Sequence, residues 1–139
     1  MLRPDFANSD CVECSSMANG RVFFQCPYCK AVITRSLLAL RPDQQLCLED
    51  GKAAVPEGFF AVKTRDQWSA EGSILVNLSD LVETHHHPDL HRLAGCCGLD
   101  GMDGPNLVCA NGHEVGTEKS DCWMPHAAVL LDSVVQVNE

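Results

Sequence analysis

Arg21-Val-Phe-Phe-Gln25-Cys26-Pro-Tyr-Cys29-Lys30-Ala31-Val-Ile-Thr34 is the stretch that decides how this chain is built. Two short runs of β-branched and aromatic residues flank a Cys-Pro-x-Cys turn. Residues 21–25 read as one strand and residues 31–34 as another, which is how a backbone wraps a metal ion. A two-residue spacer lets both thiolates face one ion while turn N–H groups face the sulfurs. Upstream, Cys11-Val-Glu-Cys14 repeats the spacing, with eleven residues between the pairs. Cys11, Cys14, Cys26 and Cys29 together are four soft ligands, the set a structural Zn²⁺ takes.

Working outward, the middle of the chain reads as β-rich. Residues 36–40 extend the preceding strand or begin a helical turn, which Pro42 ends, and residues 45–48, 59–63 and 74–78 are short apolar runs. Glu49-Asp-Gly51, Pro56-Glu-Gly58 and Glu71-Gly-Ser73 are turn residues between them. Asp80 followed by Glu83 is a candidate helix start, and residues 89–94 a short helical turn opened by Pro88 and stopped by Gly95. Residues 107–109 and 114–116 read as two arms around a Cys109-Ala-Asn-Gly-His113 turn. Residues 127–131 and 134–137 read as closing strands. The expected fold is mainly β, or α+β with short helices: a small zinc-stabilised domain with a cysteine-bearing β-turn near each end. Residues 1–41 form a zinc-knuckle segment in this reading. Residues 42–139 form an acidic β-rich part with a C-terminal Cys/His region, the two making one compact domain.

Nine cysteines cannot all pair within one chain. Met1-Leu-Arg-Pro-Asp-Phe6 has no apolar stretch behind its arginine, so no signal peptide is expected and the reading is cytoplasmic. There, close cysteine pairs are metal ligands or redox thiols before they are disulfides. No apolar run approaches the length that spans a bilayer. A thioredoxin-type role for Cys26-Pro-Tyr-Cys29 would need a long helix after the motif, and β-like Ala31-Val-Ile-Thr34 follows instead.

A second constellation lies in the C-terminal third: Cys96-Cys97, Cys109-x3-His113 and Cys122-x3-His126. Cys97, Cys109 and Cys122 are the core three, each flanked by glycine turns or strand ends. His113 or His126 completes a four-coordinate shell. The sequence leaves open whether Cys96 takes part, and whether the chain holds one Zn²⁺ or two. A third arrangement draws on both ends, with Cys26 and Cys29 joined by Cys109 and by Cys122 or His113, one ion clamping two β-turns. Turns used in this way resemble those of zinc-ribbon domains and of the tent-like zinc domains of the yippee and cereblon kind. The likeness covers only one Cys-x-x-Cys turn and one Cys-x-x-Gly turn, and carries no function with it.

His85-His86-His87-Pro-Asp89-x-His91 is dense in imidazole, and a metal-dependent hydrolase using it is the alternative function. Neighbouring histidines on a strand face opposite ways, and no helical His-Glu-x-x-His is present. Asp100-Gly-Met-Asp103-Gly-Pro-Asn106 lacks the spacing of a calcium loop. The net charge is −9. Residues 1–41, with five basic and three acidic residues, carry +2, and residues 42–139, with five and sixteen, carry −11. That balance disfavours a nucleic-acid-binding ribbon. The reading that remains is a non-enzymatic zinc module that binds a protein or small-molecule partner.

Overall fold

A computed structural model of the chain describes residues 20–41, 46–62 and 73–139. Among these residues there are nine strands: β1 (Val22–Gln25), β2 (Leu38–Ala39), β3 (Phe59–Val62), β4 (Ile74–Val76), β5 (His85–His86), β6 (Leu107–Val108), β7 (Glu114–Lys119), β8 (Ala127–Leu130) and β9 (Val135–Asn138). The helical elements are two three-residue 3₁₀ turns, Leu78–Asp80 and Leu90–Arg92. The fold is mainly β, as the alternation of apolar runs and turn residues predicts. No helix among the described residues is long and apolar enough to cross a membrane.

The strands form two sheets. β9 pairs antiparallel with β1, Val135 opposite Gln25 and Asn138 opposite Val22. The larger sheet runs β2-β3-β4-β8-β7-β6-β5. Its pairs are antiparallel except β2 with β3. In β1 the inward residues, Val22 and Phe24, are buried, while Phe23 and Gln25 are half-buried. This is the period-two pattern of a strand with one face on a core. Phe24 meets Phe60 of β3 edge-on, centroids 5.4 Å apart, an arrangement that the ring quadrupoles favour. Ile33, Leu37, Val76, Leu107, Val115 and Leu130 complete the larger core around them. A smaller cluster gathers Ala54, Val55, Ala61, Leu75 and Ala127.

Three expected elements take other forms. Residues 31–34 contribute isolated bridges, Val32 to Gln25 and Thr34 to Leu81, rather than a strand. Residues 46–48 form no strand, although the Cys47 N–H donates to the Ala54 carbonyl. Asp80 does not start a helix. It ends the first 3₁₀ turn, which Asn77 caps by accepting from the Ser79 N–H. The Asp80 carboxylate is buried and accepts from the Gly58 N–H at 2.8 Å. A distant backbone donor outcompetes the local cap, because a buried carboxylate left without a partner is costly.

Candidate metal centre

Two turns far apart in sequence come together at one point. The first is the loop leaving β1. The Cys26 N–H donates to the Ala31 carbonyl and the Lys30 N–H to the Cys26 carbonyl, while the Tyr28 N–H points at the Cys26 sulfur from 3.4 Å. Lys30 closes the turn with φ of 66°. The second turn joins β6 to β7 and repeats the pattern. The Cys109 N–H donates to the His113 carbonyl, the Gly112 N–H to the Cys109 carbonyl, and the Asn111 N–H points at the Cys109 sulfur from 3.3 Å. Gly112 supplies the left-handed residue, φ 87°, where a side chain would be strained.

The donor atoms of Cys26, Cys29, Cys109 and His113 all lie within 4.8 Å of one another. Cys29 Sγ is 3.6 Å from Cys109 Sγ. His113 Nδ1 is 3.6 Å from Cys26 Sγ and 3.5 Å from Cys109 Sγ. A tetrahedron with metal–sulfur bonds of about 2.3 Å and a metal–nitrogen bond of about 2.05 Å has S···S edges of about 3.8 Å and S···N edges of about 3.6 Å. The observed edges fall within about 0.2 Å of these. Cys26 and Cys109 are buried and Cys29 is half-buried. The Tyr28 ring, largely exposed, lies 5.2 Å from the His113 ring in a tilted contact.

The electrostatics of the centre favour a cation. The Cys29 thiol is drawn down to about 6, above all by the Asn111 side chain and the backbone at Ala31. Burial works to raise Cys109, yet the backbone at His113 and Asn111 and the His113 ring outweigh it and its thiol is lowered. Burial holds the Cys26 thiol up. Hydrogen bonds to Cys29 and Cys109 raise His113. The lowered Cys29 and Cys109 thiols make the centre a place for positive charge, and a divalent ion would displace the thiol and imidazole protons that its ligands carry.

A second group, Cys96, Cys97 and Cys122, brings three sulfurs within 4.8 Å on the surface. Cys97 and Cys122 sulfurs are 2.8 Å apart. The Cys122 thiol is pushed up to about 12, first by its hydrogen bond with Cys97. The structure therefore divides the cysteine set that the sequence groups together: Cys109 sits with Cys26, Cys29 and His113, and Cys97 and Cys122 sit with Cys96. Of the two candidate histidines, His113 has its ring at a centre, whereas His126 Nε2 is 3.0 Å from the Asp121 carbonyl. Cys11 and Cys14 lie outside the described residues. The pairing of Cys26 and Cys29 with Cys109 and His113 is one form of the two-ended arrangement that the sequence leaves open.

The histidine run is dispersed among carboxylates. His86 pairs with Glu118 and His87 with Glu114, each at 3.0 Å, and His91 with Asp89 at 3.2 Å. Arg92 shares the Glu114 carboxylate. His85 and His86 line a groove of about 430 Å³ with Leu78, Leu81, Thr84, Leu107 and Glu118. None of these histidines belongs to a metal-competent group among the described residues.

Asp121 organises the backbone of the second group, that of Cys96, Cys97 and Cys122, and sequence reasoning missed it. It is 1% exposed. Its carboxylate accepts from the backbone N–H groups of Cys96, Cys97 and Cys122 at 2.9, 3.0 and 2.7 Å, and from the Trp123 indole at 3.0 Å. The N–H groups of Cys97 and Cys96 hold its pKa far below the usual carboxylate range. Only its place beside Cys122 could have drawn attention to it.

The fold and site thus define a mostly β chain with Cys/His groups able to hold a metal ion. Compared with known proteins, the chain matches no family model, no curated protein and no solved structure.

Proposed function

We propose that this chain is a zinc-stabilised β-rich binding module, with Cys26, Cys29, Cys109 and His113 holding one structural Zn²⁺. The observation that carries this reading is the tetrahedral spacing of four donors supplied by two like turns. Zinc is the ion for a tetrahedral shell of three thiolates and one imidazole. Such a shell leaves no position for an activated water, so this centre supports architecture rather than hydrolysis. The ion would join the β1 turn to the β6–β7 turn and so tie together the sheets on either side of the larger core. On this reading the chain acts by presenting a rigid surface to a protein or small-molecule partner. The acidic balance of residues 42–139 favours a basic or neutral partner over nucleic acid.

Elemental analysis of protein purified without chelator, with X-ray absorption at the zinc edge, tests the centre. At least one equivalent of zinc with a three-sulfur, one-nitrogen shell is expected. Less than about half an equivalent of any metal, or a shell rich in oxygen, would overturn it.

A further inference from the structure

The three exposed cysteines invite a different chemistry from the buried centre. The loop that carries Cys96 and Cys97 is built for close approach to the segment carrying Cys122. A Cβ at Gly98 would sit 2.2 Å from the Ser120 carbonyl oxygen, and one at Gly95 would sit 1.7 Å from that of Gly98. Only glycines let these backbones lie against each other. The Ser120 N–H donates to the Leu99 carbonyl, and the Leu99 N–H donates to the Ser120 hydroxyl. Beneath them Asp121 gathers the N–H groups of all three cysteines on one buried carboxylate. Three thiols are therefore fixed by their backbones while their sulfurs remain open to solvent.

We propose that Cys96, Cys97 and Cys122 form a second, exchangeable metal site that takes a soft, thiophilic cation through three sulfurs. Three sulfurs in one patch point to a cation rather than to a disulfide. A disulfide would use two and leave the third idle, whereas an ion uses all three. Cys97 and Cys122 at 2.8 Å are closer than the edge of about 3.8 Å in a tetrahedral zinc shell. Loading the site opens them by about 1 Å, within reach of exposed side chains with a single rotatable bond to sulfur. Each bound sulfur gives up its thiol proton to solvent as it takes the ion. Among the described residues no fourth donor completes the group. A tetrahedral ion such as Zn²⁺ keeps one position for an exogenous ligand, and a three-coordinate ion such as Cu⁺ keeps none. The exposed site loads and unloads while the buried four-donor centre stays filled, so the chain would carry an ion that it can pass on.

The test titrates the full chain, reduced and anaerobic, with Zn²⁺ and separately with Cu⁺ against a chromophoric chelator. Two equivalents are expected, the second lost to a weaker competitor than the first. The C96S/C97S/C122S variant should lose the second equivalent and keep the first. At equal free concentration, the cation that fills the second site more fully is the one it selects. In the wild type, the second equivalent should protect all three thiols together from alkylation, a readout that does not need the variant to fold. A single equivalent with both cations that the triple variant keeps, or two retained by the triple variant, would overturn the proposal. So would a reduced protein that takes no second ion and, on later exposure to air, gives two hydrogens to dioxygen in forming a Cys97–Cys122 disulfide. Loss of the first equivalent with the second intact would count against the structural centre alone.

Discussion

Stripping the ion from the buried centre should unfasten two turns that are 80 residues apart along the chain, Cys29 to Cys109. A cross-link of that span removes closure entropy from the unfolded chain. At about 80 residues the chain-entropy relation gives roughly 15 cal/mol/K, or about 4.5 kcal/mol at 25 °C. A similar figure comes from binding: free zinc at about a thousand times its Kd stabilises the folded state by about 4 kcal/mol. For a chain of this size about 1 kcal/mol moves Tm by about 4 °C, so chelation should lower Tm by roughly 16–18 °C. Calorimetry with and without chelator, with metal content measured on the same samples, reads this directly. Cys29→Ser and Cys109→Ser should each reproduce most of the loss, and the double variant should add little, since both remove one shared cross-link. A drop under about 5 °C after verified removal of the ion, or losses that add in the double variant, would refute the cross-link.

Zinc binding at neutral pH should release protons, because burial holds the Cys26 thiol protonated in the metal-free chain. Affinity should fall about tenfold per pH unit for each proton released, as the pH drops; calorimetric titration in buffers of different ionisation enthalpy counts the protons. Asp121 is ionised in the fold at a pH where an unfolded aspartate protonates. Its contribution to stability is therefore complete above the unfolded pKa of about 4 and is lost as pH falls toward the lower folded value. Asp121→Asn should remove that acid-dependent part and shift the Trp123 indole N–H resonance; an unchanged indole signal would contradict the hydrogen bond. Phe24→Ala, at a fully buried ring packed on Phe60, should cost about 3–5 kcal/mol in a denaturant midpoint series.

What the sequence discloses depends on the range of the interaction that fixes each feature. Strands such as residues 59–62, 74–76 and 127–130 are legible because period, β-branching and flanking turn residues are local. The Cys26 turn is legible for the same reason, since its N–H to sulfur contacts lie within two residues. Partner choice is not local. Nothing near Cys109 in sequence says that its sulfur meets Cys29 rather than Cys122. That follows from β9 pairing with β1 and from the order of β7 and β8 in the larger sheet. Asp80 illustrates the converse: a local capping rule predicts a helix, and a donor from residue 58 takes the carboxylate instead. Asn106 is similar. It is buried, and its side chain both donates to the Glu118 carbonyl and accepts from the Glu118 N–H. It thereby replaces a backbone partner along β7, which no spacing in the chain announces.

The separation of the two turns also sets a timetable during synthesis. The ribosome delivers Cys26 and Cys29 long before Cys109 and His113 exist. At about 5–20 residues per second, the 80 residues between Cys29 and Cys109 take roughly 4–16 s to appear. Throughout that interval the nascent chain carries a half-built clasp, two thiols with no partner from the other turn. Oxidants, stray metal ions and other nascent chains compete for them. The same delay governs the larger sheet, whose β4 edge waits for β8 before it is covered. Newly made protein should therefore depend on a reducing milieu and on prompt delivery of the ion after Cys109 emerges, even though the finished fold buries Cys26 and Cys109 out of reach.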